Sequence, residues 1–190
     1  MIVFSPRRAR CVARRGLGAA IRHAGQIRPL ATIVALALAL ALAAPMALAA
    51  GSVNLLSVLA AQITKAKTGD VRVLLPSRLN AGVPASRLYG SGGATAHGYD
   101  IQLAAAPGCH DSTACFVAEF WGGPGKLGAG AAVTLSKGIA GRFVPSRCGA
   151  SCAPAQIEWL EFGSRYTMQF TAGRAAMVAL ADSAITAGRR

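Results

Sequence analysis

The chain has 190 residues, which leaves room for one ordinary domain and a targeting segment. Its net charge of +13 suggests nucleic-acid binding, but seven of the 20 basic residues precede Leu30, where the sequence has no acidic residue. The other 13 basic residues face seven acidic ones, a net charge of about +6. They form neither a run nor a patch interleaved with aromatic residues, so we exclude nucleic acid as a partner.

The N-terminus has the three parts of a secretory signal: a cationic flank, an apolar core and small residues at a cleavage site. The apolar core covers residues 30–44 and ends at Pro45, which breaks a helix. Ala47-Leu48-Ala49 then supplies the small residues, so we predict cleavage between Ala49 and Ala50. The signal sequence is thus 1–49, and a domain of residues 50–190 is exported to the periplasm or beyond.

The alternative is that the leader is retained. Residues 30–50 carry no charge and are long enough to cross a bilayer as a helix. The protein would then be anchored in the inner membrane and would present an extracytoplasmic domain, for example a sensor.

Beyond the leader, a helical pattern is followed mostly by period-two alternation. A helix capped by Ser52 and ended by Gly69 precedes the strands, and a helix with an apolar face is terminated by Gly188. The fold class is therefore α+β: an antiparallel, β-rich single domain of about seven short strands with a helix at each end. The predicted elements are a helix over 52–67, a strand over 71–75, a loop over 77–98, strands over 99–103, 115–121, 133–135 and 139–143, a hairpin over 157–170 and a helix over 174–187.

The hairpin can be assigned a register. With Gly163-Ser164 as a two-residue turn, glycine supplies the positive φ of the first turn position. Trp159 then lies opposite Met168, and Glu161 lies opposite Tyr166. The apolar residues of both strands share one face in this register.

Four cysteines lie in the exported part, an even number that predicts two disulfide bonds in an oxidising compartment. Three pairings are possible, and we favour the sequence-local one, Cys109–Cys115 with Cys148–Cys152. The alternative for Cys148-Gly149-Ala150-Ser151-Cys152 is a redox or copper site, with His97 or His110 as a third ligand.

Several pieces from Tyr99 onward resemble a family of small exported bacterial proteins of uncharacterised function. The resemblance implies an exported bacterial domain and transfers no catalytic residue. The pieces are Tyr99-Asp100-Ile101-Gln102-Leu103, Val133-Thr134-Leu135, Gly138-Ile139-Ala140-Gly141-Arg142-Phe143, Cys148-Gly149-Ala150-Ser151-Cys152, Ile157-Glu158-Trp159, Tyr166-Thr167-Met168 and Ala181-Asp182-Ser183-Ala184-Ile185.

The sequence offers few residues for catalysis. Glu158 and Glu161 are separated by an odd number of strand positions, which places them on opposite faces. Cys109-His110-Asp111 lies in a loop that the first disulfide closes, and Gly90-Ser91-Gly92-Gly93 is interpreted as a flexible loop. Trp121 and Tyr89 are candidates for stacking on sugars. We assign no catalytic, cofactor-binding or metal-binding residue and no cofactor.

The sequence therefore predicts a non-enzymatic accessory or binding domain outside the cytoplasm. Its positive charge favours an anionic envelope polymer, and a partner protein is the other expectation. A membrane contact is expected only through the leader. The alternatives are the anchored sensor and a redox or copper-handling protein.

Overall fold

The computed structural model describes residues 51–109 and 112–190. The predicted signal sequence, its cleavage site between Ala49 and Ala50, and His110 and Asp111 lie outside these residues. The described strands are β1 (Val53–Asn54), β2 (Arg78–Leu79), β3 (Tyr89–Thr95), β4 (Gly98–Ala104), β5 (Phe116–Gly123), β6 (Ala131–Thr134), β7 (Ala140–Val144), β8 (Arg147–Cys148), β9 (Cys152–Ala153), β10 (Ala155–Glu161) and β11 (Ser164–Phe170). The helices are α1 (Leu55–Val58), α2 (Ala60–Ala66) and α3 (Arg174–Ala187), with short 3-10 turns at Ala85–Arg87 and Ser136–Gly138.

Seven strands form one antiparallel sheet in the order β3-β4-β5-β11-β10-β7-β6. The helices precede and follow this sheet in the chain, so the predicted α+β class is confirmed. Two further pairs, β1–β2 and β8–β9, lie outside the sheet.

One face of the sheet forms the core. Its central row is apolar and in register across five strands, and each member is at most 6% exposed. Side chains on alternate strand positions point to one side. Helix residues such as Leu55, Ile63 and Met177 belong to the same buried cluster. The row consists of Ile101, Phe120, Met168, Ile157 and Phe143.

The first helix begins later than predicted and is interrupted. Asn54, not Ser52, is the cap, and its Oδ1 accepts a hydrogen bond from the Leu56 amide at 3.0 Å. Val53–Asn54 pairs with Arg78–Leu79, so these residues are taken up by a strand instead. The C-terminal helix has the predicted bounds and ends at Gly188, which has φ +70°.

The predicted strand over 71–75 is wrong. Val73, Leu74 and Leu75 are all buried in succession, so the segment is covered on more than one side and does not alternate. Within it, only Leu74 forms a β-bridge, with Arg189.

The predicted loop over 77–98 is also wrong, because its second half is β3, the edge strand of the main sheet. Its glycines do not mark flexibility. A Cβ at Gly90 would lie 2.6 Å from Leu59 Cδ2, and Gly92 has φ +87°. Glycine therefore lets α2 lie directly against the strand, where Gln62 Nε2 donates to the Gly90 carbonyl at 2.9 Å.

The predicted hairpin register is wrong by two residues. The turn is Phe162-Gly163, with φ of +52° and +77°, and Trp159 lies opposite Tyr166, not Met168. Glu161 lies opposite Ser164. A shift of two residues leaves every side chain on its predicted face, because the side-chain period of a strand is two.

The expectation of two disulfide bonds is confirmed. Cys109 is joined to Cys115, and Cys148 is joined to Cys152. The second bond links the facing residues of the short β8–β9 hairpin.

Candidate functional site

The sheet face opposite the core is polar, and we call it the polar face. Two rows of side chains cross it from strand to strand. The first row contains Gln102, Glu119, Gln169 and Gln156 on β4, β5, β11 and β10. The second contains Asp100, Trp121, Thr167 and Glu158 on the same strands and continues to Arg142 on β7.

The polar face is rich in acidic residues although the protein is basic. Asp100, Glu119 and Glu158 are three of the seven acidic residues of the chain. Arg165 and Arg142 also lie on strand positions of this face. Three carboxylates and two guanidinium groups nearly balance, so these rows do not form a basic patch that would attract a polyanion.

Glu158 is buried at the centre of the face, with 5% of its surface exposed. Its Oε2 accepts from the Gly128 amide at 2.7 Å, and its Oε1 accepts from Gln156 Nε2 at 2.6 Å. Arg165 Nη1 lies 3.8 Å from Oε1. Both oxygens are thus engaged, so Glu158 holds the loop residue Gly128 and its neighbours in place.

The amides of the first row form partial hydrogen-bond chains. Gln102 Nε2 donates to Glu119 Oε1 at 3.4 Å, and Gln169 Nε2 donates to Gln156 Oε1 at 3.3 Å. Each amide nitrogen carries two N–H groups, and each carbonyl oxygen accepts up to two bonds. The row therefore keeps donors and acceptors for a ligand.

Trp121 provides the aromatic surface of the polar face and is half-buried. A Cβ at Gly123 would lie 2.8 Å from Trp121 Cζ2, so glycine makes room for the indole along the strand. The guanidinium of Arg165 lies 4.7 Å from the ring centroid, a cation–π distance.

Thr167 lies between Trp121 and Glu158 in the second row and is 8% exposed. Its Oγ1 and the Nε of Arg165 are buried and have no hydrogen-bond partner within the part of the chain that the structure describes. Buried polar atoms are normally satisfied by protein, water or a ligand. The side chains of Thr167 and Arg165 both line the third of the cavities described next.

Three adjoining cavities follow the rows. The first, of about 650 Å³, borders β3 and includes Asp100 and Gln102. The second, of about 170 Å³, shares Gln102 with the first and has Cys109 in its wall. The third, of about 310 Å³, shares Glu119 and Gln169 with the second. Together they form a trough, which we define by these three cavities.

Of the residues singled out in the sequence, Trp121, Glu158, Cys109 and the stretch 91–93 line the trough, and the others lie away from it. His97 and Tyr89 are exposed, and Trp159 is fully buried against Tyr166, with ring centroids 5.4 Å apart. Glu158 belongs to the polar face, whereas Glu161 accepts from Trp159 Nε1 on the other side of the strand at 3.4 Å. The four cysteines are bonded in pairs and in this state offer no thiolate to a metal.

The two polar rows were not predicted from the sequence. Their signal was the polar half of the alternation in each strand, such as Asp100 and Gln102 between apolar neighbours. Assembling the rows needs the order of the strands, which local patterns do not contain.

The described residues contain neither a cluster of metal ligands nor a membrane-spanning helix. In residues 51–109 and 112–190, no three His, Cys, Asp or Glu side chains come together as metal ligands would. None of the helices in these residues has the length and apolar character needed to cross a bilayer.

Comparison of the chain with protein-family models, with curated proteins and with solved structures finds no match. The resemblance to a family of exported bacterial proteins therefore stays a prediction from the sequence.

Proposed function

We propose that this protein is an exported, non-enzymatic binding domain and that the polar face is its contact surface. The observation that carries the proposal is the trough itself, in which polar side chains of neighbouring strands line three adjoining cavities. A surface of this kind is typical of ligand sites, where a few polar groups converge in a concave region.

Export is supported by the leader and by the disulfide bonds. The cationic and apolar N-terminus directs the rest of the chain across a membrane, and disulfides persist in the oxidising space beyond it. N-terminal sequencing of the exported protein tests this. A first residue at Ala50 is expected, whereas a retained leader would favour the anchored sensor. Recovery of full-length protein with free thiols in the cytosol would contradict export.

A binding role is favoured over acid–base chemistry by the state of Glu158. Both of its oxygens accept hydrogen bonds from protein groups, and Arg165 is near. A general acid or base needs an oxygen within reach of substrate. Glu158 instead gives the trough a rigid wall.

An anionic envelope polymer is a second candidate partner, favoured by the net charge of about +6 after the leader. Such a polymer would contact exposed basic residues such as Arg78 and Arg87, outside the polar face. Its binding would weaken strongly as salt is raised.

Retention of the exported protein on envelope fractions separates the two partners. Gln169→Lys places a long cation between the second and third cavities, and Thr186→Lys at an exposed position of α3 is the matched control. We expect loss of retention for Gln169→Lys alone, at low and raised salt. Retention that disappears with salt and ignores Gln169→Lys would overturn the polar face as the contact surface and favour the anionic polymer.

A further inference from the structure

We propose that the trough binds a neutral, hydroxyl-rich polymer, that is, a segment of an uncharged glycan laid across β3, β4, β5, β11 and β10. This inference rests on the proposed function and names the ligand class of the same surface. It is carried by the chemistry, charge and length of the trough.

The hydrogen-bonding groups of the trough match hydroxyl groups. Asp100 and Glu119 are acceptors when ionised, whereas the glutamines of the first row both donate and accept. A hydroxyl also does both, so closely spaced hydroxyls can bond to a carboxylate and an amide together. Thr167 lines the third cavity between Trp121 and Glu158 of the second row.

The charges of the trough limit the class of ligand further. The trough is lined by three carboxylates and by two cations, Lys65 and Arg165, so its charges nearly balance and favour neither an anionic nor a cationic chain. A cationic chain would compete with Arg165, whose guanidinium lies between Glu158 at 3.8 Å and the Trp121 ring at 4.7 Å. A neutral chain does not compete with Arg165 and therefore leaves the Arg165–Glu158 pair in place.

Trp121 supplies the apolar part of the site. Sugar rings present a C–H surface beside their hydroxyls, and an indole ring offers an apolar body with a polar edge. Because Trp121 is half-buried while Trp159 is fully buried, Trp121 is the indole that reaches the trough. The guanidinium of Arg165 lies beside this ring, 4.7 Å from its centroid.

The length of the trough favours a polymer over a single sugar. The lining residues run from Ser91 on β3 to Glu158 on β10. These two strands are the first and last of five adjacent strands. At the usual spacing of neighbouring strands, these span about 19 Å. Several monomers in a row would fill this distance, and one would not.

The test is a titration of the exported protein with defined probes, followed by calorimetry and tryptophan fluorescence. The probes are neutral tetrasaccharides (cellotetraose, laminaritetraose and chitotetraose), their monosaccharides, polygalacturonate and polylysine. Since Trp121 and Trp159 are the two tryptophans of the chain and Trp159 is fully buried, a fluorescence change reports on Trp121.

We expect at least one neutral tetrasaccharide to bind, with an affinity that changes less than about twofold when salt is raised. We expect Gln169→Ala and Trp121→Phe to weaken binding about tenfold or more, and Thr134→Ala to leave it unchanged. Trp121→Phe keeps a ring in place and so guards against a folding defect, which circular dichroism would reveal.

Failure of all three tetrasaccharides to bind would overturn the proposal of a neutral glycan ligand. Binding of polylysine or polygalacturonate in their place would also overturn it. These results leave the proposed function intact if Gln169→Lys still abolishes retention on envelope fractions. If Gln169→Lys has no effect on retention, the proposed function itself fails.

Discussion

Tyr99 links the main sheet to the segment around Leu74, which packs against the sheet without joining it. Its hydroxyl donates to the Leu74 carbonyl at 3.0 Å and accepts from the Leu74 amide at 3.2 Å. Burial raises the pKa of Tyr99 well above its usual value. One side chain thus satisfies both backbone groups of a buried residue that has a single β-bridge.

We predict that Tyr99→Phe lowers the free energy of unfolding by about 1–3 kcal/mol, because Leu74 is left with unsatisfied buried groups. Urea denaturation measures this. Tyr89→Phe is the control, since Tyr89 is 43% exposed and should tolerate the change. Equal stability of the two variants would contradict the role of the Tyr99 hydroxyl.

The stability of the folded protein depends on pH in the alkaline range because of Tyr166. Burial raises the pKa of Tyr166 to about 12, and the nearby carboxylate of Glu161 contributes in the same direction. The unfolded chain ionises its tyrosines at about pH 10. The folded state therefore favours the neutral phenol, and this stability is complete below pH 10 and is lost as the pH rises towards 12.

We predict that the urea midpoint of the protein falls between about pH 9.5 and 11.5 more steeply than that of Tyr166→Phe, which has no phenol to ionise at this position. Tyr99 contributes to the fall in both proteins, so the difference between the two curves isolates Tyr166. Parallel curves would show that Tyr166 does not resist ionisation.

At the scale of the element, the β10–β11 hairpin shows packing overriding local turn chemistry. Phe162 occupies a left-handed conformation at φ +52°, which is unfavourable for a bulky residue. The guanidinium of Arg72 lies 4.0 Å from its ring centroid and compensates in part. Pairing of Trp159 with Tyr166 in the core requires the turn at this position.

We predict that Phe162→Asn raises the free energy of unfolding by about 0.5 kcal/mol. Asparagine relieves about 1–2 kcal/mol of left-handed strain and forfeits about 0.5–1 kcal/mol of the exposed contact with Arg72. Phe162→Ala keeps the strain and loses the contact, so it should be less stable than the parent. Thermal unfolding orders the three proteins, and an alanine variant as stable as the asparagine variant would refute the strain.

Local residue patterns explain why some strands could be predicted from the sequence and others could not. Tyr99, Ile101 and Leu103 alternate with polar residues, and the strand over them was predicted correctly because one of its faces is buried. β3 has no such alternation, since its glycines are selected by the closeness of α2. A glycine-rich run carries no signal that distinguishes an edge strand from a loop.

At the scale of the whole molecule, the disulfide bonds lie away from the core. Cys148 and Cys152 are exposed, and Cys109 and Cys115 are partly buried beside the second cavity. The hydrophobic cluster connects the sheet and the helices without any of these cysteines. The core therefore supplies most of the stability, and the disulfides restrain two loops.

We predict that the double variant Cys148→Ser/Cys152→Ser stays folded with a Tm lower by about 5–10 °C, because a short closed loop contributes about 2 kcal/mol. Calorimetry measures the Tm, and near-ultraviolet circular dichroism checks the fold. Cys109→Ser/Cys115→Ser should lower the Tm similarly, and it should also weaken ligand binding because Cys109 lines the second cavity. An unfolded Cys148→Ser/Cys152→Ser protein would show that the core alone is insufficient.

The sequence by itself determined the features that depend on near neighbours. The class of the fold, the C-terminal helix, the faces of the paired strands and the presence of two disulfides follow from periodicity, turn residues and cysteine count. These are local quantities, so a linear chain displays them directly.

The tertiary structure decided the rest, above all the polar face. Gln102, Glu119, Gln169 and Gln156 come from four strands, of which β5 and β11 are adjacent in the sheet but far apart in the chain. Only the order and register of the strands bring them into one row. The candidate site is therefore a product of long-range pairing, in which burial of the opposite face selects one register, and with it the polar neighbours on this face.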